Sequence, residues 1–156
     1  MKLNQETDIL AASPLFRGID HAQLKLLALM AEARTFLEGE DLMVQGQEGD
    51  AAFVLLEGCA AVIIAIGGRE TTVAQLGQND IVGEMALLTD SPRTATVRAS
   101  GTVRALRVDR ATLFRLLAEF PTMSLELLRV ITGRLERTTQ ELARTRAELE
   151  EMQSQA

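Results

Sequence analysis

Residues 35–108 are a succession of short apolar or β-branched runs broken by glycine, and this pattern does most to limit the folds open to the chain. Phe53-Val54-Leu55-Leu56, Ala61-Val62-Ile63-Ile64-Ala65-Ile66, Thr71-Thr72-Val73-Ala74 and Val103-Arg104-Ala105-Leu106-Arg107-Val108 carry the pattern. Gly39, Gly46, Gly49, Gly58, Gly67-Gly68, Gly77 and Gly83 lie between them. Short runs with such regular turns predict antiparallel strands in a small barrel or roll. Gly67-Gly68, set between two runs, predicts a hairpin turn.

Both flanks change to a helical period. Residues 1–34 are assigned to N-terminal helices, and 20–34 predict one with Leu24, Leu27, Ala28 and Ala31 on a single face. Asp20 and Gln23 stand at capping-box spacing at its start. After the strands, Asp109 predicts the cap of a short helix ending at residue 120, and Pro121 predicts the first turn of a long one over 121–156. Along that helix Leu128, Leu135, Leu142 and Leu149 recur every seven residues, with Ile131, Thr138, Thr145 and Met152 at the companion position. This heptad seam predicts a homodimer in which Glu141 of one chain faces Arg146 of the other. The expectation is one α+β, mainly β domain: an antiparallel β-roll or jelly-roll barrel over 35–108, flanked by helices.

Composition removes several function classes. The 156 residues carry a net charge of −6 and only 3% aromatics, with no Trp or Tyr. Duplex DNA needs a basic face and single strands need stacking platforms, so direct nucleic-acid binding is not expected. The single Cys59 rules out an internal disulfide and reads as a small buried hydrophobe. His21 is the sole histidine, so no metal centre is expected, and no nucleophile–base pair marks an enzyme. The polar start and the lack of a membrane-length apolar stretch predict a cytoplasmic protein without a membrane segment.

The chemistry concentrates in Gly83-Glu84-Met85-Ala86-Leu87-Leu88-Thr89-Asp90-Ser91-Pro92-Arg93-Thr94. A carboxylate accepts hydrogen bonds from sugar hydroxyls, and a guanidinium fork suits a phosphate. Residues 84–88 can form one helical turn with free backbone N–H groups near the same anion. Together these describe a nucleotide pocket.

The segment resembles the phosphate-binding cassette of cyclic nucleotide-binding domains. From Arg93 through the long helix, the chain resembles the effector domains of catabolite-activator (CRP/FNR-type) regulators. That resemblance implies that Glu84 accepts the ribose 2′-hydroxyl and that Arg93 pairs with the cyclic phosphate. Gly83 and Met85, the backbone near Ala86 and Leu87, and the Thr94 hydroxyl would complete the phosphate site. Val62, Val73 and Leu76 are weaker candidates for the apolar wall. Thr138 and Thr139 would touch the purine, in cis or from a partner chain, and Arg134 would hold Glu84.

The implied ligand is cyclic AMP or cyclic GMP, with no separate cofactor. Thr94 is compatible with cyclic GMP, whereas the Thr138-Thr139 pair favours cyclic AMP. The expected function is a non-catalytic sensor that signals through a helix-mediated dimer. The alternative is the effector-binding half of a CRP/FNR-type transcriptional regulator. Because the chain stops at Ala156, shortly after the long helix, the DNA-reading role of such regulators is not carried over.

Overall fold

The computed structural model describes residues 2–155. Helix α1 (Lys2–Ala12), a 3-10 turn (Pro14–Phe16) and α2 (His21–Met30) precede the sheet. Strands β1 (Glu32–Phe36), β2 (Asp41–Met43), β3 (Ala51–Ile66), β4 (Arg69–Leu76) and β5 (Ile81–Val82) follow. Then come α3 (Glu84–Thr89), β6 (Thr96–Asp109), α4 (Arg110–Glu119) and α5 (Pro121–Ser154). All pairings are antiparallel, in the order β1-β6-β3-β4, with β2 also on β6 and β5 also on β3. The mainly β roll with flanking helices is thus formed as one open sheet, which curls without closing edge to edge.

Strand β3 organises the molecule. Its first six residues are buried on both faces, which is why they read as a continuous apolar run. Ala52, Val54 and Leu56 face a core shared with Leu10, Leu24, Leu27, Leu113 and Met123 of the helices. Phe53 and Leu55 face the roll interior with Val82, Val97, Val103 and Ala105. There the Phe36 and Phe53 rings meet edge-to-face, with centroids 5.9 Å apart, a geometry worth about 0.5–1.5 kcal/mol beyond area burial.

Two predicted runs, residues 53–56 and 61–66, are one strand rather than two. Gly58 is a bulge within β3, where the register against β6 shifts. Its φ is +90°, and a Cβ there would lie 2.3 Å from the Thr102 carbonyl oxygen, so only glycine lets the strand bend at this point. Ala60 then faces the interior while Cys59 is exposed. The expectation of a buried cysteine is therefore corrected.

The predicted helix over 20–34 ends at Met30, and β1 begins at Glu32. Five residues of β1 pair with β6, from Glu32↔Arg107 to Phe36↔Val103, and these ladder bonds override the apolar period. Asp20 occupies the N-cap but makes no side-chain cap bond; its carbonyl instead accepts from the Gln23 and Leu24 amides. Asp109 does cap α4, accepting from the Thr112 amide at 2.8 Å. The Gly67-Gly68 hairpin joins β3 to β4 with both glycines at positive φ. Helix α5 starts at Pro121 as expected, while Ala156 lies outside the described residues.

Candidate functional site

Gly83 opens α3 with φ +89°, a left-handed conformation that turns the chain sharply from β5 into the helix. A Cβ at Gly83 would come within 2.7 Å of Arg93 Nη1, so glycine also makes room for the guanidinium. The turn buries Glu84, Ala86 and Leu87 and leaves Met85 half exposed. The Glu84 side chain is 1% exposed, and Arg93 is 6% exposed. An ordinary surface ion pair would leave both in water.

Three segments fix Arg93. Its Nη1 donates to the Gly83 carbonyl at 2.9 Å, and Nη2 donates to the Ala51 carbonyl at the head of β3. Its backbone pairs with the loop between β2 and β3: Arg93 N donates to Gln47 O at 2.9 Å, and Gly46 N donates to Arg93 O at 2.8 Å. Gly49 of that loop lies against Ala86 and Arg93, because a Cβ there would sit 2.7 Å from Ala86 Cβ and 3.1 Å from Arg93 Cζ. A cavity of about 210 Å³ borders Arg93 and is lined also by Met43, Gln47, Asp50, Phe53 and Arg107.

Glu84 is held from the other side. Arg134 of α5 donates from Nη1 to Glu84 Oε1 at 2.8 Å and from Nη2 to the Ile81 carbonyl. The second carboxylate oxygen, Oε2, is buried and has no hydrogen-bond partner among the described residues. Burial pushes the Glu84 carboxyl above the ordinary carboxylate range, and the Arg134 charge pulls in the opposite direction. Burial likewise lowers the Arg93 pKa from its ordinary value, opposed by Asp50 and Glu84 and assisted by Arg107. The result is a buried acceptor and a buried cation in neighbouring turns of the chain.

Thr94 is exposed beside Arg93. Leu76 is buried and Val62 half-buried in the roll interior, but Val73 is 45% exposed. The pairing of β3 with β4 skips Val73, since the register shifts between Val62↔Ala74 and Ile63↔Thr72. Thr138 and Thr139 are both exposed on α5, and the Thr138 hydroxyl donates to its own helix at Arg134 O, 2.9 Å away. Sequence reasoning did not single out the carbonyls of Ala51 and Ile81, because a backbone oxygen has no residue signature. It also read Gly49 only as a turn.

A roll of antiparallel strands, one cassette between β5 and β6, and a long following helix define a class. The family profile described as the cyclic nucleotide-binding domain matches residues 33–120, from β1 to the end of α4. The chain belongs to this family. A curated relative, the CRP-like cAMP-activated global transcriptional regulator of Mycobacterium tuberculosis, is 31% identical over 137 residues. That alignment covers 87% of this chain and 61% of the regulator, so the chain spans less than two thirds of its length. The cAMP-dependent protein kinase regulatory subunit of Mycosarcoma maydis is 38% identical over 88 residues, covering 56% of this chain and 17% of that protein. The crystal structure of the Thermus thermophilus catabolite activator protein superposes with a TM-score of 0.75 at 28% identity. It covers 83% of this chain and 62% of that one. No helix among the described residues is long and apolar enough to cross a membrane.

Proposed function

We propose that this chain is a non-catalytic receiver for a cyclic nucleotide, with cyclic AMP preferred over cyclic GMP. The observation that carries the reading is the pairing of two buried, opposite groups in one short segment. Glu84 has one carboxylate oxygen engaged and the other unpartnered, and Arg93 lies nine-tenths buried nearby. A buried unpartnered acceptor costs about 1–3 kcal/mol, and a ribose hydroxyl donating to Oε2 relieves it. Arg93 supplies charge to the cyclic phosphate, with Thr94 and the free amides of α3 beside it. The names of the mycobacterial and fungal relatives, both tied to cAMP, support the ligand class.

The preference for adenine rests on Thr138. Its hydroxyl proton is committed to Arg134 O, which leaves its oxygen lone pairs as acceptors. The exocyclic amino group of adenine is a donor, whereas guanine presents an acceptor oxygen at the corresponding position. Thr138 lies on the seam of α5 and Thr139 beside it, so a second chain could bring them to the base as readily as this one.

Output through a homodimer is supported by the same helix. Leu128, Leu135, Leu142 and Leu149 are 61%, 64%, 56% and 51% exposed, a stripe on the 34-residue helix that none of the described residues covers. The net charge of −6 supports a role without direct nucleic-acid contact. A second reading, the effector half of a CRP/FNR-type regulator, is favoured by the alignment that covers most of this chain and only part of such a regulator.

Calorimetric titration of the full chain with cyclic AMP and cyclic GMP tests the proposal. Cyclic AMP is expected to bind more tightly and to raise the melting temperature progressively, with the logarithm of its concentration once that exceeds Kd. Arg93→Leu should abolish that shift while retaining the far-UV spectrum. Binding that survives Arg93→Leu unchanged would sink the assignment.

A further inference from the structure

Arg110, the first residue of α4, touches both walls of the phosphate cradle without belonging to it. Its Nη1 donates to the Leu87 carbonyl of α3 at 2.9 Å. Its Nη2 lies 3.4 Å from the Gly49 carbonyl and 3.3 Å from Asp90 Oδ1, at the end of α3. Its backbone amide donates to the Asp50 carbonyl at 3.1 Å. One residue therefore bonds to the loop before β3 through Gly49 and Asp50, and to the cassette helix through Leu87 and Asp90.

These contacts bear on Arg93 through Gly49. That residue is wedged between Ala86 of α3 and the Arg93 guanidinium, with no space for even a methyl group. Pulling the Gly49 carbonyl toward Arg110 seats the loop against the guanidinium, and pulling the Leu87 carbonyl seats α3 beside it. A planar guanidinium spreads its donors over separate nitrogens in a fixed fork, so Nη1 and Nη2 reach acceptors on different segments, whereas an ammonium donates from a single nitrogen. The loop is also held by the Gly46 and Gln47 backbone bonds to Arg93 and by Arg107 Nη2, which donates to Asp50 Oδ2 at 2.8 Å from β6.

We propose that Arg110 is a positioning residue for the cyclic phosphate: it straps the loop around Gly49 to α3 and so sets the direction from which Arg93 meets the ligand. The inference rests on the nucleotide reading above. Its consequence is selective. Losing the strap should blur recognition at the phosphate and leave recognition of the ribose, which depends on Glu84, intact.

The test uses the full chain and four probes in calorimetry: cyclic AMP, its two phosphorothioate diastereomers, and 2′-deoxy cyclic AMP. The diastereomers differ only in which exocyclic phosphate oxygen is sulfur, so their affinity ratio reports phosphate orientation. Arg110→Met removes all three side-chain hydrogen bonds and should weaken cyclic AMP about tenfold, since only part of that loss is transmitted to the phosphate site. It should shrink the diastereomer ratio while leaving the ratio of cyclic AMP to 2′-deoxy cyclic AMP unchanged. If both ratios hold, or both fall together, Arg110 is only structural and the proposal is overturned. Should Arg110→Met fail to fold, Arg110→Lys, which keeps the charge but not the bridging fork, is judged by the same two ratios. Wild-type protein that binds none of the probes overturns the nucleotide reading, and the strap falls with it.

Discussion

Arg134 Nη1 lies 2.8 Å from Glu84 Oε1, although the two residues are 50 positions apart. Through that contact α5 is tied to the cassette helix, and its second arm is tied to the Ile81 carbonyl just ahead of it. The group proposed to receive the ribose is thus already in contact with the helix proposed to carry the output. A ligand that reorganises Glu84 must change the interaction free energy of α5, and that differential is the only source of a switch.

Removing the cation leaves a buried carboxylate with both oxygens unsupported by Arg134. Arg134→Met should therefore destabilise the ligand-free protein by about 2 kcal/mol, lowering its melting temperature by roughly 5 °C. Thermal unfolding followed by circular dichroism checks this. A melting temperature equal to wild type would mean that the contact does not hold α5 in solution.

Glu84 should give stability a distinctive pH slope. Its folded-state pKa is raised above the ordinary value of 4.5, chiefly by burial. Folding then takes up a proton, so this group's contribution is complete below the unfolded value and is lost as pH rises through the folded one. Glu84→Gln, which does not titrate, should gain on wild type as pH climbs above about 4.5. The lowered carboxyls Glu32 and Asp109 slope the other way, and they cancel in the difference between the two chains. Melting temperatures of both ligand-free proteins across that range provide the comparison, and a constant difference refutes the raised value.

Gly49→Ala inserts a methyl group 2.7 Å from Ala86 Cβ and 3.1 Å from Arg93 Cζ. Overpacking of this kind costs about 1–3 kcal/mol, and the displaced guanidinium should weaken cyclic nucleotide binding. Titration beside a thermal melt separates the two effects. Lower stability with undiminished affinity would show that this loop does not place Arg93.

Leu142→Glu sets a charge on the exposed α5 seam, where the leucine is 56% exposed in the protomer. Self-association should weaken at least about tenfold, because like charges and lost apolar contacts meet at one level of the coiled coil. The melting of the roll at low protein concentration should stay at the wild-type value. Sedimentation equilibrium reads the first effect, and wild-type protein that is monomeric at every concentration would remove the dimer from the proposal.

Local signals were legible where local chemistry decides. Asp109 as a cap, Pro121 at a helix start and Gly67-Gly68 in a hairpin each follow from backbone stereochemistry within a few residues. The end of α2 and the continuity of β3 were not legible, because strand pairing with β6 decides both. Cys59 shows the limit clearly. Composition makes it a core residue, yet the bulge at Gly58 turns it outward and sends Ala60 in.

The candidate site divides in the same way. The residue types alone determined that Glu84 and Arg93 can meet a sugar and a phosphate, since those capacities are intrinsic to a carboxylate and a guanidinium. The heptads of α5 likewise fixed a long helix with an apolar stripe. Only the tertiary structure decided that Glu84 is buried with one oxygen unpartnered, that Arg93 rests on the carbonyls of Gly83 and Ala51, and that Arg110 straps the loop to α3. The reason is that burial, carbonyl direction and contacts across tens of residues are properties of packing. Two segments distant along the chain acquire them only when the sheet brings them together.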